Sequence, residues 1–135
     1  MDLSGVTFVI VSSHEGVCSA LAAFLRQKGA IVFVSHGAVD GLAAVKNHKP
    51  DIVISDIRLP KRDGFEPLRA IRALGPEANG NVPVIATTIL AKIEDRSSIA
   101  AAGFQAHVDK PFGPNELLEV IKPLLPLNGP PSSNG

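Results

Sequence analysis

Five short apolar runs, each parted from the next by a stretch with helical spacing, constrain this chain more than any other feature. The runs are Thr7 to Val11, Ile31 to Ser35, Ile52 to Asp56, Val84 to Thr87 and Ala106 to Asp109. They are β-branched or apolar and bounded by Gly, Pro, Ser or Asp, which is the signature of buried strands. Between them, apolar residues recur every three or four positions. Val17, Leu21, Phe24 and Leu25 mark a first helix, with Gly29 after Lys28 as its stop. Val39, Leu42 and Ala43 mark the second, and Leu68, Ile71 and Leu74 the third. A fourth, from about Ile93 to Ala102, has a weak apolar face and ends at Gly103. Leu117, Val120, Ile121 and Leu124 give the fifth a clear inner stripe. Strands separated by single helices imply right-handed crossovers, hence an α/β fold with a parallel sheet and helices on both faces.

At 135 residues the chain has the size of one domain. Hydrophobic content of 45% against 19% charged marks it as globular. A formal net charge of zero argues against a nucleic-acid or membrane surface of its own. One cysteine, Cys18, excludes an internal disulfide, and its place among Leu21 and Leu25 reads as core. No secretory signal precedes the first strand, and no apolar run is long enough to span a bilayer, so a cytoplasmic domain is expected. From Pro126 the chain is Pro-, Gly-, Ser- and Asn-rich with almost nothing to bury. The expected division is a folded domain over residues 1–125 and a flexible tail or linker over 126–135.

Polar residues close three of the apolar runs. Asp56 ends Asp51-Ile52-Val53-Ile54-Ser55, Thr88 follows Pro83-Val84-Ile85-Ala86-Thr87, and Lys110 follows Ala106-His107-Val108-Asp109. The carboxyl ends of strands are where open α/β sheets bind ligands, and an acid, a hydroxyl and a cation together suit phosphoryl chemistry. Each residue also has a plainer reading: a turn aspartate before Pro60, a strand-end threonine, a solvated lysine. The first strand ends differently, in Ser12-Ser13 with no acid. Ser12 and Glu15 are spaced as a capping box for the first helix.

In order and spacing, these pieces resemble the receiver domain of two-component response regulators over nearly the whole chain, from Val6 to about Leu125. The matching pieces are Asp51-Ile52-Val53-Ile54-Ser55-Asp56-Ile57-Arg58-Leu59-Pro60, Asp63-Gly64-Phe65, Pro83 to Thr88, Ala102-Gly103 and Lys110-Pro111-Phe112. The resemblance implies a flavodoxin-like, three-layer, doubly wound sandwich with strand order 2-1-3-4-5. It makes Asp56 the phosphoacceptor, Thr88 the switch hydroxyl and Lys110 the phosphate-pairing cation, with a cis bond at Lys110-Pro111. It implies a signalling domain rather than an enzyme, with at most slow self-catalysed phosphotransfer and dephosphorylation. Its partners would be a histidine kinase or a histidine phosphotransfer protein, with a fused or separate output domain. The fourth helix, fifth strand and fifth helix would form the output surface, and possible homodimers would pair there.

The chain departs from the family at two places. Ser12 and Ser13 stand where the family has the acidic pair that holds Mg2+, and two hydroxyls are poor substitutes for a cation that prefers carboxylate and water oxygens. Metal binding, through Asp56, is therefore expected to be weak. Glu15 or His14 swinging towards Asp56 would rebuild part of such a site, and Arg58 would lend positive charge in its place. Lys61 and Arg62 read as solvated loop residues. His107 takes the position of the family's switch aromatic; the plainer reading is a surface histidine on an edge strand. A pseudo-receiver, binding partners without phosphorylation, is the rival reading that the serines favour. A nucleotide or flavin carrier fails for want of a Gly-rich turn after the first strand.

Overall fold

The computed structural model describes residues 2–57, 65–88, 93–109 and 112–125, with backbone alone at residue 17 and residues 93–96. The elements alternate along the chain: β1 (Thr7–Val11), α1 (Glu15–Gln27), β2 (Ile31–Ser35), α2 (Ala38–His48), β3 (Ile52–Asp56), α3 (Glu66–Arg72), β4 (Val84–Thr88), α4 (Ile93–Ala102), β5 (Ala106–Asp109) and α5 (Pro114–Ile121). All five strands fall where the sequence puts them, β4 running one residue further to include Thr88. They form one parallel sheet in the order β2-β1-β3-β4-β5, the doubly wound arrangement implied by the resemblance. No helix among the described residues is long and apolar enough to cross a membrane.

The sheet is apolar on both faces because helices cover both. Strand residues alternate between the two cores. Phe8, Ile10, Ile54 and Ile85 face Leu25 of α1 and Leu117 of α5. Val9, Val53 and Val84 face Leu68 and Ile71 of α3. Each of these fully buried apolar side chains stabilises the fold by roughly 1.5–3 kcal/mol. The side chain of Val17, expected on the inner stripe of α1, lies outside the described residues.

Helix α2 corrects part of the expected inner face. Leu42 packs against the core as expected, but Val39 is 83% exposed and Ala43 is also exposed, whereas Gly41 and Val45 are buried. The reason is close approach: a Cβ on Gly41 would lie 2.9 Å from Val11 Cγ2. The helix rides so near β1 that its inward position has no room for a side chain, and a glycine there leaves no mark in the apolar periodicity. Gly29 behaves as expected, ending α1 in the left-handed region with φ +97°.

The stretch before β4 contains a 3-10 turn, Pro76–Ala78. It is fastened by Arg72, whose guanidinium donates to the carbonyls of Gly80 (2.8 Å), Val82 (2.7 Å) and Gly103 (3.1 Å) and to Gln105 Oε1 (2.9 Å). That fastening lies at the amino-terminal end of β4 and leaves the carboxyl ends of the strands to the site.

Candidate functional site

The sheet register brings three side chains together at the carboxyl ends of β1, β3 and β4. Val11 pairs with Ser55, so the next residues, Ser12 and Asp56, are neighbours. Asp56 in turn pairs with Thr87. The Ser12 hydroxyl donates to Asp56 Oδ2 at 2.9 Å, and the Thr87 hydroxyl donates to Asp56 Oδ1 at 3.2 Å. Asp56 is half-buried, while Ser12 and Thr87 are buried. A carboxylate at this depth is oriented by protein donors yet open to a reactant.

Ser12 is held at every polar atom. Its N–H donates to Ser35 O at 2.9 Å. Its carbonyl accepts from the Cys18 thiol at 3.5 Å and from His36 Nδ1 at 3.1 Å. Its hydroxyl oxygen accepts the N–H of His14 at 3.1 Å. This corrects the capping-box expectation. The N-cap of α1 is His14, in extended conformation and with no side-chain cap bond. Ser12 directly follows β1, and its hydroxyl is engaged two residues on and across the sheet, where Asp56 competes better than a helix amide. Glu15 is the exposed first residue of α1.

Cys18 is 2% exposed and belongs to the core beneath α1, as expected. Burial pushes its thiol pKa up, and the bond to Ser12 opposes that shift. Ser13 and His14 are exposed. Among the described residues no group of three or more His, Cys, Asp or Glu is placed to hold a metal ion. The Ser12 hydroxyl directs its proton at Asp56 and accepts an amide N–H, which makes it a poor ligand for a hard cation. The described donors do not fit Mg2+.

Thr88 turns to the opposite face of the sheet from Thr87 and pairs in register with Asp109. It is 1% exposed, and its hydroxyl finds no hydrogen-bond partner among the described residues. Ser55 is likewise buried without a hydroxyl partner there. An orphaned buried hydroxyl is costly unless another state uses it. His107 lies on edge strand β5, half-buried, with Nε2 3.7 Å from Asp109 Oδ1. Arg58, Lys61, Arg62, residues 89–92, Lys110 and Pro111 lie outside the described residues.

Two participants escape a reading of the sequence alone. Thr87, not Thr88, bonds to Asp56, and Ser12 bonds to it rather than capping a helix. The signal for both is register parity, which exists only once the strand order is known. Asp51, at the far end of β3, plays a structural part. Its Oδ2 accepts the N–H of Thr7 at 2.8 Å and fixes the start of β1.

The comparisons with known proteins agree with this arrangement. The response regulator receiver domain family matches residues 8–122. The chain is 31% identical over 120 residues to the "uncharacterized 14.6 kDa protein in sodA1 3' region" of Leptolyngbya boryana, covering 89% of this chain and 90% of that one. It is 29% identical over 125 residues to the response regulator MprA of Mycobacterium sp. (strain KMS), covering 93% of this chain and 53% of that one, so it spans about half the length of MprA. Among solved structures, the receiver domain of the sensor histidine kinase PA1611 from Pseudomonas aeruginosa PAO1 superposes with a TM-score of 0.76 at 28% identity, over 90% of this chain and 98% of that one. That receiver domain carries a magnesium ion in its active-site cleft. With its family match, its 2-1-3-4-5 sheet and an oriented aspartate at the end of the central strand, the chain belongs to the response regulator receiver domain family of two-component signalling.

Proposed function

We propose that this domain accepts a phosphoryl group on Asp56 from a histidine kinase or histidine phosphotransfer protein and passes the signal on through its surface. The observation that carries this reading is the double hydroxyl contact on Asp56 at the carboxyl end of β3. It holds a nucleophilic carboxylate in one orientation beside open solvent. An Asp56 oxygen attacks the phosphorus of a phosphohistidine. The new O–P bond forms as the N–P bond breaks, and the electron pair leaves on the imidazole nitrogen, which takes up a proton. Lys110, immediately after β5, supplies positive charge to the phosphoryl oxygens. Thr88 offers them its hydroxyl, unpartnered among the described residues, by turning towards the site.

That movement of Thr88 is the link to output. Thr88 pairs with Asp109 in β5, and Asp109 sits beside His107. Drawing Thr88 inward therefore disturbs the surface formed by α4, β5 and α5, where an output domain, a separate partner or a second copy would dock. The length of MprA, nearly twice the span matched here, fits a receiver joined to an output domain. The domain acts in the cytoplasm and carries out no multiple-turnover catalysis; its chemistry is the gain and slow loss of one phosphoryl group.

Incubation with phosphoramidate, whose P–N bond imitates phosphohistidine, tests this directly. One hydroxylamine-labile phosphoryl mass gain is expected, absent in Asp56→Asn. Absence of label on the unaltered chain, or equal label on Asp56→Asn, refutes the reading.

A further inference from the structure

We propose that the Ser12 hydroxyl, fixed in place by His36, gives Asp56 the positioning that other receivers take from a divalent cation, so that phosphoryl transfer here proceeds without metal. This rests on Asp56 being the acceptor. It goes further in naming the groups that do the positioning and the cofactor the reaction dispenses with.

The direction of the Ser12 hydrogen bond follows from its other contacts. A hydroxyl has one proton. The Ser12 oxygen already accepts the N–H of His14 at 3.1 Å, so its own proton is free for Asp56 Oδ2 at 2.9 Å. The donor cannot drift, because the Ser12 backbone is pinned on both sides: N–H to Ser35 O at 2.9 Å, carbonyl to His36 Nδ1 at 3.1 Å. A carbonyl oxygen only accepts, so Nδ1 of His36 carries a proton in that bond, whether the ring is neutral or cationic. His36 is thus a positioning residue that acts through Ser12. Cys18 adds a weaker contact to the same carbonyl at 3.5 Å.

The clamp is compatible with the chemistry. We assign the attack to Oδ1, whose bond from Thr87 is the longer of the two described, at 3.2 Å against 2.9 Å. The O–P bond forms there, and the donor's P–N bond breaks with its electron pair departing on the leaving nitrogen. Oδ2 becomes the carbonyl oxygen of the acyl phosphate and still accepts the Ser12 proton. No ligand has to be exchanged during the step. The same contacts explain the poor fit to Mg2+: the position facing Asp56 presents a proton instead of a second carboxylate.

The test measures the rate of phosphoramidate labelling of the purified chain in EDTA and in millimolar Mg2+. The rates should agree within about twofold, since one described carboxylate gives a cation little to hold. Ser12→Ala should slow labelling about tenfold in both conditions, the effect of one hydrogen bond to a charged group. His36→Leu should slow it in part, and His36→Asn, whose amide can donate to the same carbonyl, should restore it. Ser12→Asp with Ser13→Asp should make labelling depend on Mg2+, because the two added carboxylates supply ligands that a hard cation prefers. Mn2+ binding followed by electron paramagnetic resonance gives a readout independent of labelling, and no saturable binding to the unaltered chain is expected at millimolar metal. Labelling that falls more than about tenfold in EDTA overturns the proposal. So does saturable Mn2+ binding that Asp56→Asn abolishes. If Asp56 takes no label in either condition, the acceptor reading itself falls; if it takes label only with metal, that reading stands and the hydroxyl clamp alone is refuted.

Discussion

Thr87 and Asp56 stand opposite each other in the β3–β4 register, and the Thr87 hydroxyl donates to Asp56 Oδ1 at 3.2 Å. The adjacent threonine faces the other way, with its hydroxyl unpartnered among the described residues. Two neighbouring, identical side chains therefore do opposite things to stability. Thr87→Val keeps the shape but takes a donor from a half-buried carboxylate, and should cost about 1 kcal/mol. Thr88→Val removes a buried orphan hydroxyl and should be neutral or stabilising by up to about 1 kcal/mol. Urea denaturation of the two variants checks the contrast; equal losses would refute it.

Stability should be indifferent to Mg2+. A cluster of carboxylates in one cleft repels itself until a cation arrives, but here the Ser12 hydroxyl faces Asp56. Melting temperatures in EDTA and in millimolar Mg2+ should agree within about 1 °C, because a ligand stabilises only in proportion to its occupancy of the native state. A rise of several degrees with Mg2+ would count against the site as described.

The buried thiol of Cys18 makes a signed prediction for alkaline pH. Its folded pKa is raised, first by desolvation. The unfolded chain therefore loses this proton near the ordinary thiol value of about 8.5 while the native state keeps it. The thiol's contribution is fully present below that pH and is lost as pH rises towards the folded pKa, at up to about 1.4 kcal/mol per pH unit. The chain has no tyrosine to titrate in the same range. Cys18→Ala should flatten the decline between about pH 8.5 and 10, ahead of the lysines. An unchanged slope would show that the thiol ionises alike in both states.

Arg72 is a structural cation. Its guanidinium makes four bonds that join α3, the turn before β4 and the start of β5. Burial lowers its pKa, and no carboxylate takes part in those four bonds. Arg72→Lys keeps the charge but cannot span four acceptors, and should cost about 2–3 kcal/mol. A loss no larger than that of an exposed Arg→Lys change would contradict this role.

The strands are legible because buried parallel strands require unbroken β-branched runs, and Ile52 to Asp56 or Val84 to Thr88 admit no other good use. Asp56 is legible for a positional reason, as an acid where such a run ends. The inner face of α2 is not, since close packing puts glycine at position 41, where a hydrophobic pattern expects bulk. Ser12 misleads because the capping-box spacing to Glu15 is local, while its actual partner lies 44 positions away. Thr87 is hidden for a related reason. Which of two adjacent threonines faces Asp56 depends on register parity, and strand pairing fixes that parity.

Amide resonances followed by NMR during phosphoramidate treatment probe the central claim most directly. Phosphorylation of Asp56 should shift the amides of Thr87, Thr88 and His107, and the shifts should decay as the acyl phosphate hydrolyses. Asp56→Asn should show none of them. Unmoved resonances in a phosphorylated chain, or the same shifts in Asp56→Asn, would contradict the coupling of Asp56 to β4 and β5.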